Sequence, residues 1–260
     1  MVGDTAANST TRTAVVLGAP GGIGSGICTA LVAAGWHVVA LGRNEGRLQE
    51  LCEALGNSCE YRLCDAYDAA SITAASESVI AARGRVDGLV NSVADTALGA
   101  KDGALLQTSL ETWDRSFQSS IRAYFIAIQA ILPGMLAAGE GAIVNISSIG
   151  GIRGDQWLSA YSAAKAGIIQ LSRTISAQYG REGIRCNSVI PGVIAHASVR
   201  AALGPMLDRA LAQTSSTRLG QPEDIGELVA FLLGEKSGFI NGEAIVCDGG
   251  QTARGGDWMS

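Results

Sequence analysis

Residues 15–27 read VVLGAPGGIGSGI. An apolar run gives way to a turn carrying Gly18, Gly22 and Gly24, and then to a stretch of helical character. Glycines at a strand-to-helix turn permit a tight bend and a close approach of backbone to ligand, while the free N–H groups of the helix N-terminus suit a pyrophosphate. After a strand and before a helix, such a turn reads as dinucleotide binding.

The second strand bears on which dinucleotide. A site for NAD places Asp or Glu near the end of this strand to bond the ribose 2′-hydroxyl. HVVALGRNEGR (37–47) offers instead Gly42 and then Arg43. A guanidinium can hold the extra 2′-phosphate in bidentate fashion, so NADP(H) is the expected cofactor and NAD(H) the alternative. Asp65, closing the third strand, is a candidate acceptor for the adenine amino group and equally a candidate helix cap.

The same alternation continues along the chain. Runs rich in Val, Ile, Leu and Ala at 13–18, 37–41, 59–64, 87–91, 141–146, 184–190 and 243–247 read as strands. Helical stretches lie between them at about 22–34, 44–55, 69–83, 109–138, 159–180 and 222–233, the pattern of βα units building a parallel sheet. With 260 residues and 47% hydrophobic content the chain can bury one α/β core. The polar residues 1–11 read as a flexible N-terminal segment and 12–260 as a single domain. Pro191 and Gly192 open the longest irregular section, 192–221, with helical character in its middle. Open α/β sheets bind ligands at this edge, which makes it a candidate substrate loop.

The formal charge of −5 rests on only 17% charged residues, with no basic block to track a phosphate backbone. Nucleic acid is therefore not an expected partner. No run of about 18 uninterrupted apolar residues and no apolar core of a secretory signal is seen, so no membrane partner is expected either. Six cysteines without paired spacing, and only two histidines, argue against a metal site. Buried free thiols and a cytoplasmic location are the expectation.

Residues 161–165 read YSAAK. On a helix, positions i and i+4 share a face, so Tyr161 and Lys165 point the same way. A phenol titrates near ~10, and a nearby ammonium favours the phenolate. Ser148, in IVNISSIGG after the fifth strand, lies at the same sheet edge, where its hydroxyl can donate to a carbonyl oxygen while Tyr161 moves the proton.

With these motifs in order, the sequence from Thr13 to Gly250 resembles the short-chain dehydrogenase/reductase family. The resemblance rests on the Gly18, Gly22, Gly24 turn, Asp65, Asn91 after the fourth strand, Ser148, the Tyr161 and Lys165 pair, Pro191-Gly192, PEDIGELVAFLL and the CDGG near the end. It implies a Rossmann-type, doubly wound sheet of seven parallel strands with helices on both faces. It also implies a nicotinamide cofactor and reversible hydride transfer between a secondary alcohol and a ketone. Tyr161 then looks like the acid/base, Lys165 its pKa partner and ribose ligand, and Ser148 the substrate-orienting hydroxyl. Gly21, Ile23, Ala66, Ile194 and His196 join the candidate cofactor contacts.

Four positions depart from the family pattern. Asn91 is followed by Ser92, Val93 and Ala94 instead of a second Asn, Ala and Gly. Leu17 stands where a Thr usually opens the turn, and His196 where a Thr commonly faces the nicotinamide carboxamide. Ser120 takes the place of the family's catalytic Asn, as a shorter member of the proton relay. Val93, Ile149, Trp157 and Val199, with Ile152, Ile194, Leu203 and Met206, fall where a pocket for an apolar, cyclic or aromatic ketone would lie. The competing reading is a dinucleotide-binding sensor or scaffold with little turnover. The helix around YSAAK carries small or apolar residues on more than one face, so a homo-oligomer is expected, a tetramer by the resemblance and a dimer otherwise.

Overall fold

TAVVL, the segment ahead of the glycine turn, is buried along its whole length and has a parallel neighbour on each side. A strand enclosed on both faces needs a continuous apolar run, and the sequence supplies one. The computed structural model describes residues 11–254. The segment expected to be flexible, apart from Thr11, lies outside the described residues.

In chain order the strands are β1 (Thr13–Leu17), β2 (His37–Gly42), β3 (Cys59–Leu63), β4 (Gly88–Asn91), β5 (Gly141–Ile146), β6 (Ile184–Pro191) and β7 (Ala244–Cys247). The helices are α1 (Gly22–Ala33), α2 (Glu45–Leu55), α3 (Ala69–Arg83), α4 (Leu110–Phe117), α5 (Ala123–Ala138), α6 (Ser159–Tyr179), α7 (Ala197–Leu203), α8 (Met206–Ala212) and α9 (Pro222–Leu233). The seven strands form one parallel sheet in the order β3-β2-β1-β4-β5-β6-β7. The direction of winding reverses between β1 and β4, and in such sheets the crevice beyond the strand ends at that point is where ligands bind.

Each face of the sheet has its own core. On one side Val15, Leu17, Val39 and Leu89 pack with Tyr124, Ile131, Met135, Ile168 and Ile175 from α5 and α6. On the other, Ala14, Val16, Val38 and Val90 pack with Ile27 and Leu31 of α1 and Ile225, Val229 and Leu232 of α9. Helices α1 and α9 touch backbone to backbone: a methyl group on Gly226 would overlap the carbonyl of Gly26.

One expectation needs correction. The helix expected over 109–138 is interrupted, because Gln118–Arg122 form a π-helical turn between α4 and α5. Inside it Ser120 donates its hydroxyl to the Ser116 carbonyl of the preceding turn. Such back-bonding of serine competes with the main-chain ladder and marks helix bends. The combined run from Leu110 to Ala138 is long and apolar enough to span a membrane by length and hydropathy. It is a core element here, burying Tyr124, Ala127, Ile128, Ile131 and Met135 against the sheet. The section 192–221, read with helical character in its middle, contains both α7 and α8.

Candidate active site

The glycine turn sits at the β1–β4 reversal, where close packing leaves no room for side chains. Gly18 has φ +91°, and a methyl group on it would come within 2.8 Å of the Ser92 carbonyl. One on Gly24 would overlap the Gly18 carbonyl oxygen. Helix α1 begins after Gly21 with no side-chain cap and no acid in its first turn, so its leading N–H groups, from Gly22 and Ile23 onward, remain open to an anion. The ring of His196 lies directly against Gly22, in the space a β-carbon there would need. Burial lowers its pKa, which favours the neutral imidazole.

At the end of β2, Arg43 is exposed and has no hydrogen bond or ion pair among the described residues. Asn44 beside it caps α2 by accepting from the Arg47 N–H at 3.0 Å. Asp65 accepts from the Tyr67 N–H at 3.0 Å, an arrangement that shapes its own turn, and Ala66 follows it at the strand end. Asn91, fully buried, donates to Asn145 Oδ1 at 2.8 Å, while its own Oδ1 has no partner. Pro191 ends β6, and Gly192 lies so close to Asp248 that a methyl group would approach its Cβ within 2.8 Å. Ile194 is buried and bridges to Gly220, and so belongs to the floor of this section.

The turn, the uncapped start of α1 and the unpaired Asn91 oxygen together fit a dinucleotide laid across the strand ends. Gly18 to Gly24 would take its diphosphate, Arg43 the adenosine side and Lys165 the nicotinamide side.

Ser148 follows β5, and the 3₁₀ turn at Ile149–Gly151 carries the chain back onto α6. Ser147 donates to the Lys165 carbonyl at 2.8 Å, and Gly151 presses on the Lys165 backbone so closely that only glycine fits. These contacts tie the strand end to the helix turn bearing Tyr161 and Lys165. The Ser148 hydroxyl accepts from the Gly150 N–H at 3.2 Å and lies close enough to the Tyr161 phenol to influence its titration.

Burial raises the Tyr161 pKa, and Ser148 acts in the opposite sense. Lys165 is 2% exposed, donates from Nζ to the Ile146 carbonyl at 2.9 Å, and is pushed down to about 7 by burial. Its Nζ lies 5.6 Å from the centroid of the Tyr161 ring, within cation–π range. The phenol is thus held neutral, and the ammonium beside it is poised near neutral pH.

The sequence-derived candidates separate. Ser148, Tyr161 and Lys165 meet at one point, and Val93 packs against the core that holds Tyr124. Ile149 is turned into a small core with Ile169 and Ile190. Trp157 and Ile152 are exposed beside the site, and Met206 is exposed on α8. Val199 is half-buried on α7, and Ser120 is buried with its hydroxyl committed within its own helix.

Two residues that carry the site are not among the candidates. Asp102, 2% exposed, accepts from Ala160 N–H at 3.0 Å and Tyr161 N–H at 2.8 Å, and so holds the first turn of α6. It lies some sixty residues before that helix, outside any local capping pattern. Tyr124 reaches into the site from α5, where one tyrosine among apolar residues reads as core.

Comparison with known proteins agrees with this arrangement. Residues 18–252 match a family model described as enoyl-(acyl carrier protein) reductase. The chain is 34% identical to acetoacetyl-CoA reductase of Acinetobacter sp., over 92% of this chain and 97% of that protein. It is 32% identical to D-threitol dehydrogenase of Mycolicibacterium smegmatis, over 94% of each. Among solved structures, an oxidoreductase of the short-chain dehydrogenase/reductase family from Burkholderia thailandensis superposes with a TM-score of 0.86 at 30% identity, covering 95% of this chain and 94% of that one. Sheet order, glycine turn and Tyr-Lys pair thus coincide with near full-length similarity to oxidoreductases of one kind, and the chain belongs to the short-chain dehydrogenase/reductase family of NAD(P)-dependent enzymes.

Proposed function

We propose that the enzyme transfers hydride reversibly between NADP(H) and a secondary alcohol or ketone of apolar, cyclic or aromatic character. The observation that carries this reading is the convergence of Ser148, Tyr161 and Lys165 beside the glycine turn. When bound, the nicotinamide supplies or accepts the hydride. In reduction, Ser148 and Tyr161 donate hydrogen bonds to the substrate carbonyl oxygen, and Tyr161 delivers its proton as the alcohol forms. In oxidation Tyr161 accepts that proton, assisted by the positive charge of Lys165. Trp157, Ile152 and Met206 are exposed apolar side chains and Val199 is half-buried, which supports the reading of an apolar border on the substrate side.

Arg43 supports NADP over NAD: it is a free guanidinium following a strand end that carries no acid. Arg43→Ala should weaken NADPH binding by about 10-fold or more and leave NADH nearly unchanged, because only the former loses a charge-assisted phosphate contact. Fluorescence titration with both cofactors measures this, and equal losses would contradict the assignment.

A further inference from the structure

Two sulfurs lie side by side at the sheet edge opposite the strand ends that carry Arg43, Asp65 and Ser148. Cys52, in the last turn of α2, and Cys59, the first residue of β3, are both free thiols, and their Sγ atoms stand 3.0 Å apart. A disulfide bond is about 2.05 Å long, so a shift of about 1 Å would join them. The chain between them turns through Gly56, at φ +65°, and the exposed 3₁₀ turn Gly56–Ser58.

Cys52 is half-buried and Cys59 buried, so a small oxidant arriving from solvent meets Cys52 first. Burial pushes both thiols up. The contact between the sulfurs opposes that shift at Cys52 and adds to it at Cys59, which makes Cys52 the one that yields its proton first. The Glu60 carbonyl, also within reach of the Cys59 thiol, lies farther off at 3.9 Å. Cys28 of α1 is fully buried and acts electrostatically on both thiols, yet among the described residues no hydrogen bond joins it to either.

We propose that Cys52 and Cys59 are a peroxide-oxidisable dithiol, a modification site separate from the hydride-transfer centre, whose disulfide closes without rearranging the fold. The Cys52 thiolate attacks one peroxide oxygen: an S–O bond forms, the O–O bond breaks, and the hydroxide released takes up the proton Cys52 gave, leaving as water. The Cys59 sulfur then attacks the Cys52 sulfur: the S–S bond forms, the S–O bond breaks, and hydroxide leaves with the Cys59 proton as a second water. The two thiols are oxidised by two electrons and the peroxide is reduced to water. A dithiol reductant reverses the step by exchange.

Reduced protein is exposed to millimolar hydrogen peroxide, unfolded in denaturant, alkylated and mapped by mass spectrometry. Of the six cysteines, Cys52 and Cys59 should be joined and the other four alkylated, and dithiothreitol should restore all six. Six alkylated cysteines after peroxide, Cys52 driven on to sulfinic acid, or a bond from Cys28 to either partner overturns the proposal. The oxidised protein should melt about 3 °C or more above its reduced form, because the bond closes a loop in the unfolded chain. No gain overturns closure without rearrangement. In Cys59→Ala the oxidised Cys52 should stop at the sulfenic acid and take up a cyclic 1,3-diketone probe, and no uptake overturns the order of attack. The mass map of the wild type needs neither a variant nor turnover, so it decides the proposal even if Cys59→Ala fails to fold.

Discussion

Lys165, assigned above to the proposed proton transfer, also bears on stability. In the unfolded chain it titrates near 10.5 and in the fold near 7. Below about pH 7 it is charged in both states, and the full cost of burying an ammonium, about 5 kcal/mol, weighs against folding. Between the two values the folded protein has released a proton that the unfolded chain retains, so the cost shrinks as pH rises and is gone above the unfolded value. Lys165→Met should therefore abolish turnover yet raise the melting temperature, most at about pH 6 and progressively less toward about pH 9. Calorimetry across that range checks it, and a gain independent of pH would contradict the depressed titration. The Tyr161 and Lys165 pair was legible because i, i+4 spacing fixes a shared face whatever surrounds it. The burial that makes Lys165 sensitive involves Tyr124 of α5, whose ring lies 5.5 Å from its Nζ and which no local spacing links to it.

The start of α6 is where one element depends on another remote in sequence. Leu158 enters the helix with φ +64°, an uncommon conformation for a side chain branched beyond Cβ, and the turn is secured by Asp102. One carboxylate oxygen of Asp102 accepts from the Ala160 N–H and the Thr108 hydroxyl, the other from the Tyr161 N–H. An asparagine must turn its NH₂ group toward one of those donors. Asp102→Asn should cost about 1–3 kcal/mol and lower kcat by about 10-fold, because Tyr161 lies in the turn that loosens. A variant with wild-type melting temperature and wild-type kcat would show that the cap does not position the phenol. The break between α4 and α5 belongs to the same scale. The apolar pattern over 109–138 is continuous, so the sequence reads as one helix. The π turn coincides with the serine back-bond at Ser120, which periodicity does not register.

For the molecule as a whole, the alternation of apolar strands with helical stretches was enough to read a seven-stranded parallel sheet, because buried parallel strands must be apolar throughout. Helices α7 and α8 were less legible, being short and half-exposed, with little apolar periodicity to mark them. Large apolar side chains are exposed outside the core, among them Leu105, Leu106 and Leu110 before and at α4 and Phe125 on α5. Exposed apolar surface of this kind suits burial against a second copy of the chain, and an oligomer is the predicted state. Light scattering at micromolar concentration should give a mass of at least twice 26.6 kDa, and a monomer would refute it.

The central claim is that Ser148, Tyr161 and Lys165 form a working hydride-transfer site, and steady-state turnover of wild type beside Tyr161→Phe tests it most directly. With NADPH and a panel of apolar cyclic and aromatic ketones, followed by the absorbance of the reduced nicotinamide, the wild type should oxidise the cofactor in a ketone-dependent manner. Tyr161→Phe should be slower by about 10²–10⁴-fold with its fold intact. No turnover by the wild type on any ketone, or a Phe variant as fast as the wild type, would contradict the account.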